Sequence, residues 1–244
     1  MNPHRSATSA RRPRAAALAS LLAPLALLLA GCGSSSSSTS SGNGVESKSP
    51  QEILAAAKTA ASGASSVHVS GSIVNEGKSI GVDLHLVSGK GAAGTLTVEG
   101  QPIQIVEVGN GFYLKASEAF YAKMGGASAA QLLKGKWLKA PVNSGEFASL
   151  GALTSLDKLL GSTLKAPGTL TKTSTTTIAG QPAVGLADST GKGTLYVATT
   201  GPAYPVALVK QGSSQGKITF DQWNQPVTLS VPANSVDLTQ LQGG

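Results

Sequence analysis

Residues 67–87 read VHVSGSIVNEGKSIGVDLHLV, and this segment establishes the architecture that the rest of the chain extends. Apolar side chains alternate with polar ones on both sides of the polar turn at residues 75–78. A period of two is typical of a strand with one buried face. Two such runs around a short Asn/Gly-containing turn therefore predict an antiparallel hairpin with one apolar face.

The alternation continues along the chain, except in a segment at residues 117–165 where short helical patterns replace it. We predict further strands at residues 94–99, 103–108, 112–116, 136–139, 169–178, 183–187, 194–198, 206–210, 217–223 and 227–231. The order is thus five strands, a helical insertion and about six more strands. This order predicts an α+β fold with a large antiparallel sheet of about 11 strands, whose apolar face needs a cover.

A helix is predicted immediately before the first hairpin. Ser49 and Glu52 have the spacing of a capping box, and Pro50 occupies the first helical position, where proline is favoured. Gly63 ends the apolar-periodic run. This N-terminal helix is the first candidate to cover the sheet.

Cys32 is the one cysteine of the chain, and it closes the run Leu29-Ala30-Gly31-Cys32. Before it stand a basic segment and an apolar core of about 16 residues, shorter than the roughly 20 that a spanning helix needs. This pattern is typical of a bacterial lipoprotein signal, cleaved before a cysteine that carries acyl chains such as palmitate. Two acyl chains anchor a protein stably, so we predict a protein of the cell envelope, lipid-anchored on the extracytoplasmic face of the cell membrane.

The predicted organisation is a signal peptide at residues 1–31, a lipidated Cys32 with a tether to residue 49, and one domain at residues 50–244. The tether is rich in serine and glycine, a composition that behaves as a flexible coil. At this length its root-mean-square reach is about 20–25 Å.

Charge argues against a nucleic-acid partner. Lys and Arg number 19 against 12 Asp and Glu, but all four arginines lie in the predicted signal peptide. The remainder has a small excess of lysine and no arginine, the residue that provides bidentate recognition of phosphate and bases. With Cys32 acylated, disulfides, thiolate metal sites and cysteine nucleophiles are excluded as well.

Several segments resemble the LolA-like lipid-carrier superfamily, in particular bacterial lipoproteins of the LppX/LprG type. They are GQPAVGL at 180–186, GTLYVA at 193–198, YPV at 204–206 and FDQWNQPV at 220–227, followed by Pro232. The resemblance implies an open antiparallel half-barrel around helices, an apolar or lipid ligand between them, and transport rather than catalysis. It implies no catalytic residues, cofactor or particular protein partner.

On this interpretation, apolar residues of the sheet and the insertion form the ligand site. We predict ligand-binding roles for Val82, Leu84, Leu86, Leu96, Val98, Ile103, Ile105, Leu114, Phe120, Leu132, Leu153 and Leu156. Six of the ten aromatic residues also lie between residues 112 and 147. They either surround the mouth of a cavity or fill the core between insertion and sheet.

The hairpin register places His68 opposite His85, and Ser70 opposite Asp83, on the polar face. Two imidazoles and a carboxylate are possible metal ligands. Since further strong ligands are not evident, we expect a solvated surface without a metal site.

Catalytic motifs are weak. GSSQG at residues 212–216 matches the G-x-S-x-G pattern, but that nucleophile turn needs a following helix and a later histidine. Strands are predicted on both sides, and no histidine follows His85. We therefore expect a lipid-binding lipoprotein that is not an enzyme. The alternatives are a packed envelope interaction or structural lipoprotein without a ligand and, less favoured, a hydrolase.

Overall fold

The computed structural model describes residues 42–75, 77–141, 153–163 and 168–238. The helices are α1 (Pro50–Ser62), α2 (Glu118–Leu133) and α3 (Leu156–Thr163). The strands are β1 (Ser66–Asn75), β2 (Lys78–Val87), β3 (Gly91–Val98), β4 (Gln101–Val108), β5 (Gly111–Lys115), β6 (Trp137–Pro141), β7 (Leu170–Ile178), β8 (Gln181–Asp188), β9 (Gly193–Ala198), β10 (Pro205–Lys210), β11 (Gly216–Asp221) and β12 (Ser235–Asp237).

The strands form one 12-stranded sheet in the order β12-β6-β5-β4-β3-β2-β1-β11-β10-β9-β8-β7. Neighbouring strands are antiparallel except β12 and β6, which are parallel. Strand β1 joins an N-terminal half, β1–β6 with β12, to a C-terminal half, β7–β11, by pairing with β11. Within the described residues the two edge strands, β12 and β7, do not pair with each other. The predicted α+β class with an open antiparallel half-barrel is confirmed.

The apolar face of the sheet packs against helices α1, α2 and α3. Val69 of β1 pairs with Leu84 of β2 and Phe220 of β11, and all three side chains are buried. Helix α1 adds Ile53 to the same core, and α3 adds Leu156. The apolar residues that recur every second position in the strands therefore pack against those that recur every 3.6 positions in the helices, in one layer of contacts.

Glycines inside the strands let neighbouring backbones approach closely. A Cβ on Gly71 would lie 2.1 Å from the Lys217 carbonyl oxygen, and one on Gly94 would lie 2.1 Å from that of Asp83. Both glycines have positive φ, of 136° and 153°. Glycine kinks of this kind bend strands, which is a means of curving a sheet around helices.

The capping box of α1 forms as predicted. The Ser49 hydroxyl accepts a hydrogen bond from the Glu52 backbone N–H at 3.4 Å, and the Ser49 backbone N–H donates to Glu52 Oε2 at 2.9 Å. The Ser49 hydroxyl also donates to the carboxylate, and these hydrogen bonds lower the pKa of Glu52. Two otherwise unsatisfied donors at the helix start are thereby paired.

Residues 42–49, which the sequence assigns to the tether, make specific contacts with the folded domain. Gly42 forms a bridge with Thr200, and Asn43 Nδ2 donates to the carbonyls of Ala198 and Gly201 at 3.0 and 2.9 Å. Val45 is buried. The polar composition of this segment suggested a coil, but its asparagine bonds to residues at the end of β9 and in the β9–β10 connection, and its valine belongs to the apolar core.

The strand predicted at residues 227–231 is wrong. Gln222 and Asn224 have positive φ, of 50° and 61°, and turn the chain away from the sheet after β11. Residues 227–231 lie outside the sheet, and the chain returns to it as β12, parallel to β6. Lys139 Nζ donates to Asp237 Oδ2 at 2.9 Å across this pairing.

Candidate functional site

Most of the predicted ligand-binding residues lie in a closely packed core. Residues that retain 2% or less of their surface are Leu84, Leu86, Leu96, Ile103, Ile105 and Leu114, and Leu156 retains 3%. A side chain that is inaccessible to water has no water-sized space beside it. The structure therefore brings these residues together, but packed against other side chains rather than around an open cavity.

The remaining predicted residues occupy more accessible positions. Val82, Val98, Phe120 and Leu153 are partly buried and pack against the core. Leu132 is 42% exposed, so its predicted inward orientation is wrong. Helix α2 contains non-helical backbone at Gly125 and Gly126, and after this break Ala130 and Leu133 face the sheet in its place.

The aromatic residues near the insertion belong largely to the core. Phe112 and Tyr121 are fully buried. The Tyr121 hydroxyl accepts from the Ala116 backbone N–H at 3.0 Å and donates to the Leu114 carbonyl at 3.3 Å. Burial raises the pKa of Tyr121 despite the hydrogen bond from Ala116. Of the six aromatic residues, Phe147 lies outside the described residues.

A cleft of about 650 Å³ lies at one end of the sheet. Its walls are the β2–β3 turn, the β4–β5 turn, the start of α3 and the segment after β11. The lining residues are Val87, Gly89, Lys90, Gly91, Glu107, Val108, Gly109, Thr154, Ser155, Leu156, Asp157, Val227, Thr228 and Leu229. The volume is within the usual range of small-molecule pockets.

The cleft combines charged groups with apolar surface. Its side chains include one cation, Lys90, and two carboxylates, Glu107 and Asp157. Thr154 is fully buried, and its hydroxyl donates to Glu107 Oε2. Leu156 both lines the cleft and belongs to the apolar core. The cleft is thus a polar entrance that adjoins the core.

Of the residues that line this cleft, Leu156 was predicted from the sequence to bind ligand and the others were not. One signal was present: Glu107 follows Ile103 and Ile105 at the spacing of two, so it lies on the apolar face of β4. A carboxylate on a buried face needs a partner. That partner, Thr154, comes from the insertion and could not be inferred from local pattern.

The predicted hairpin register is confirmed, with His68 opposite His85 and Ser70 opposite Asp83. The two imidazoles stack with their centroids 4.5 Å apart. His68 Nε2 lies 3.1 Å from Asp83 Oδ1, and Nδ1 lies 2.7 Å from Asp221 Oδ1. Burial lowers the pKa of His68, but the hydrogen bonds to Asp221 and Asp83 outweigh it, and the pKa is raised above 6.5.

The candidate nucleophile motif lies in a strand–strand connection. Residues Gly212–Ser214 form a 3-10 turn between β10 and β11, without the following helix that a nucleophile elbow requires. Among the described residues, no group of three or more His, Cys, Asp and Glu side chains is placed to hold a metal ion.

No family model matches the chain, and no curated protein matches it significantly. Among solved structures, LprF from Mycobacterium bovis is similar with a TM-score of 0.54 and 19% identity, over 75% of this chain and 97% of LprF. The chain has a fold like that of LprF. The lipoprotein LppX from Mycobacterium tuberculosis also matches, with 19% identity over 75% of this chain and all of LppX, at a TM-score of 0.47.

The likeness to LprF confirms the predicted fold. At 19% identity, it carries no information about individual ligand contacts. None of the helices in the described part of the chain has both the length and the apolar character that spanning a bilayer requires.

Proposed function

We propose that this protein is a lipoprotein, anchored through acylated Cys32, that binds an apolar or lipid ligand non-covalently between its sheet and helices. Passage of that ligand across the cell envelope is the role that such binding would serve. The fold supports this proposal, because an open sheet with one apolar face is covered by short helices rather than by a second sheet.

The cleft at the start of α3 is the main structural support for this proposal. Leu156 connects the cleft to the core, so an acyl chain that enters there and displaces α3 contacts the apolar face of the sheet directly. Helix α3 spans only Leu156–Thr163. Helices of this length have little stability of their own, so α3 depends on packing that a hydrocarbon chain can replace.

The tight packing of the core favours a second candidate function. Six predicted wall residues have 2% or less of their surface exposed, including Leu84 and Ile105. If α3 does not move, the apolar face stays closed and the protein acts as a packed interaction module of the envelope. The two functions differ in whether the domain takes up hydrocarbon.

Titration with a fluorescent fatty-acid analogue distinguishes them. The chain from residue 33 onward, delipidated after purification, should bind the analogue saturably. Leu229→Trp should weaken binding about tenfold, equivalent to about 1.4 kcal/mol, because Leu229 lines the cleft. Val231→Trp is the matched control: Val231 is 60% exposed and is not a cleft residue. Absence of saturable binding by the unsubstituted domain would establish the packed alternative instead.

A further inference from the structure

The cleft and the entry point of the tether lie at the same end of the sheet. Strand β1 begins where β2 ends, since Ser66 pairs with Val87, and where β11 ends, since His68 pairs with Asp221. The antiparallel order then places the β2–β3, β4–β5 and β9–β10 connections at this end. We call this end, with the connections at residues 88–90, 109–110 and 199–204, the anchor edge.

The chain enters the domain at the anchor edge. Gly42 bridges to Thr200, and the Asn43 backbone N–H donates to the Thr199 carbonyl at 2.7 Å. The residues that follow Asn43 are also fixed to the domain. Lys172 Nζ donates to the carbonyls of Glu46 and Lys48 at 2.7 and 3.0 Å. The tether therefore leaves from a fixed place at this edge.

Chain length limits how far the anchor edge can lie from Cys32. The chain between Cys32 and Gly42 spans at most about 36 Å when fully extended. The opposite edge lies farther away, because the ten-residue strands β1 and β2 are each about 33 Å long. Along the sheet, the cleft at β3 and the tether at β9 are separated by five strand spacings, or about 24 Å.

We infer that the anchor edge, with its cleft, is a membrane-facing surface that exchanges lipid with the bilayer to which Cys32 is attached. This inference rests on the proposed anchoring through Cys32. The cleft then opens towards the bilayer. A lipid can therefore move from the leaflet into the core without passing through the solvent at the opposite end of the domain. Attraction to anionic lipid contributes little to this orientation, because the positive charge of Lys90 in the cleft is offset by the carboxylates of Glu107 and Asp157.

Two single-cysteine probes at the two ends of β2 test the orientation, one inside the strand and one directly after it. Ser88→Cys lies at the anchor edge and Ser79→Cys near the opposite edge. Each is introduced into the acylated protein, in which the Cys32 sulfur no longer reacts, labelled with a donor dye and bound to phosphatidylcholine vesicles that contain an acceptor-labelled lipid. We expect energy transfer at position 88 to exceed that at position 79 at least twofold. Adding anionic phosphatidylglycerol should not change this ratio, because the tether rather than charge sets the orientation.

The outcomes separate this inference from the proposed function. Equal transfer from the two probes, or greater transfer from position 79, overturns the orientation while leaving lipid binding intact. Failure of the protein to float with the vesicles overturns the anchor and this inference together. Lengthening the tether with a Gly/Ser insertion between Ser41 and Gly42 should bring the two efficiencies closer together, and an unchanged ratio would contradict the role of tether length.

Discussion

His68 Nδ1 lies 2.7 Å from Asp221 Oδ1, across the β1–β11 pairing that joins the two halves of the sheet. The other ring nitrogen contacts Asp83 on β2, so one imidazole bridges three adjacent strands. A neutral imidazole can donate only one hydrogen bond. Carboxylates at both nitrogens therefore favour the doubly protonated ring, and the charge of His68 adds to the backbone pairing that holds the two halves together.

We expect the junction to make stability depend on pH. The pKa of His68 is raised above its ordinary 6.5, so its contribution is complete below pH 6.5 and is lost as pH rises through the folded-state pKa. The side chain is only 15% exposed, but Asp83 and Asp221 are 70% and 46% exposed, which limits the effect to about 1 kcal/mol. Urea unfolding between pH 5.5 and 8.5 measures it. His68→Asn should remove this pH dependence, and His85→Asn should retain it. A wild-type free energy of unfolding that rises with pH over this range would contradict the raised pKa of His68.

The same geometry argues against zinc at the histidine pair. Both nitrogens of His68 face carboxylates, so the ring has to lose a proton and a hydrogen bond before it can act as a ligand. Calorimetric titration of Zn²⁺ into the purified domain should show no stoichiometric site tighter than about micromolar, or roughly −8 kcal/mol. A tight one-to-one site that disappears in His68→Ala would show that the cluster is a metal centre.

Acylation at Cys32 should control membrane association. Cys32→Ala removes the acceptor of the acyl chains, and with it about 0.8 kcal/mol per buried methylene. We expect the protein to move from the detergent phase to the aqueous phase on partitioning. Ser37→Ala, in the same polar segment, should remain in the detergent phase. Unchanged partitioning of Cys32→Ala would end the lipoprotein interpretation.

Tryptophan substitutions should lower the free energy of unfolding much more in the core than in the cleft. Leu84 and Ile105 are 1% and 0% exposed, so Leu84→Trp and Ile105→Trp overpack the core and should lower the free energy of unfolding by about 1–3 kcal/mol or more. Leu229 lies in the cleft, outside the sheet, and Leu229→Trp should have a much smaller effect. Urea unfolding monitored by far-UV circular dichroism compares them. Unchanged stability at position 84 or 105 would reveal unfilled space in the core.

Local pattern was sufficient for much of the fold. The period of two identified the strands of both halves, and the turn at residues 75–78 set the register that pairs His68 with His85. The capping box at Ser49 formed as expected. These features depend on residues close together in the chain, where spacing and turn chemistry determine geometry directly.

Contacts between distant segments were decided only by the tertiary structure. Asp221 meets His68 because β11 pairs with β1, and β12 lies beside β6; neither pairing leaves a signal in local periodicity. Leu132 does not face the sheet as predicted, because the helix break at Gly125 and Gly126 changes which residues of α2 point inward. The cleft joins turns, α3 and the segment after β11, which meet through long-range packing alone. The sequence by itself thus determined the strands, the first hairpin and the helix cap, whereas the joining of the two halves, the docking of residues 42–49 and the position of the cleft required the folded chain.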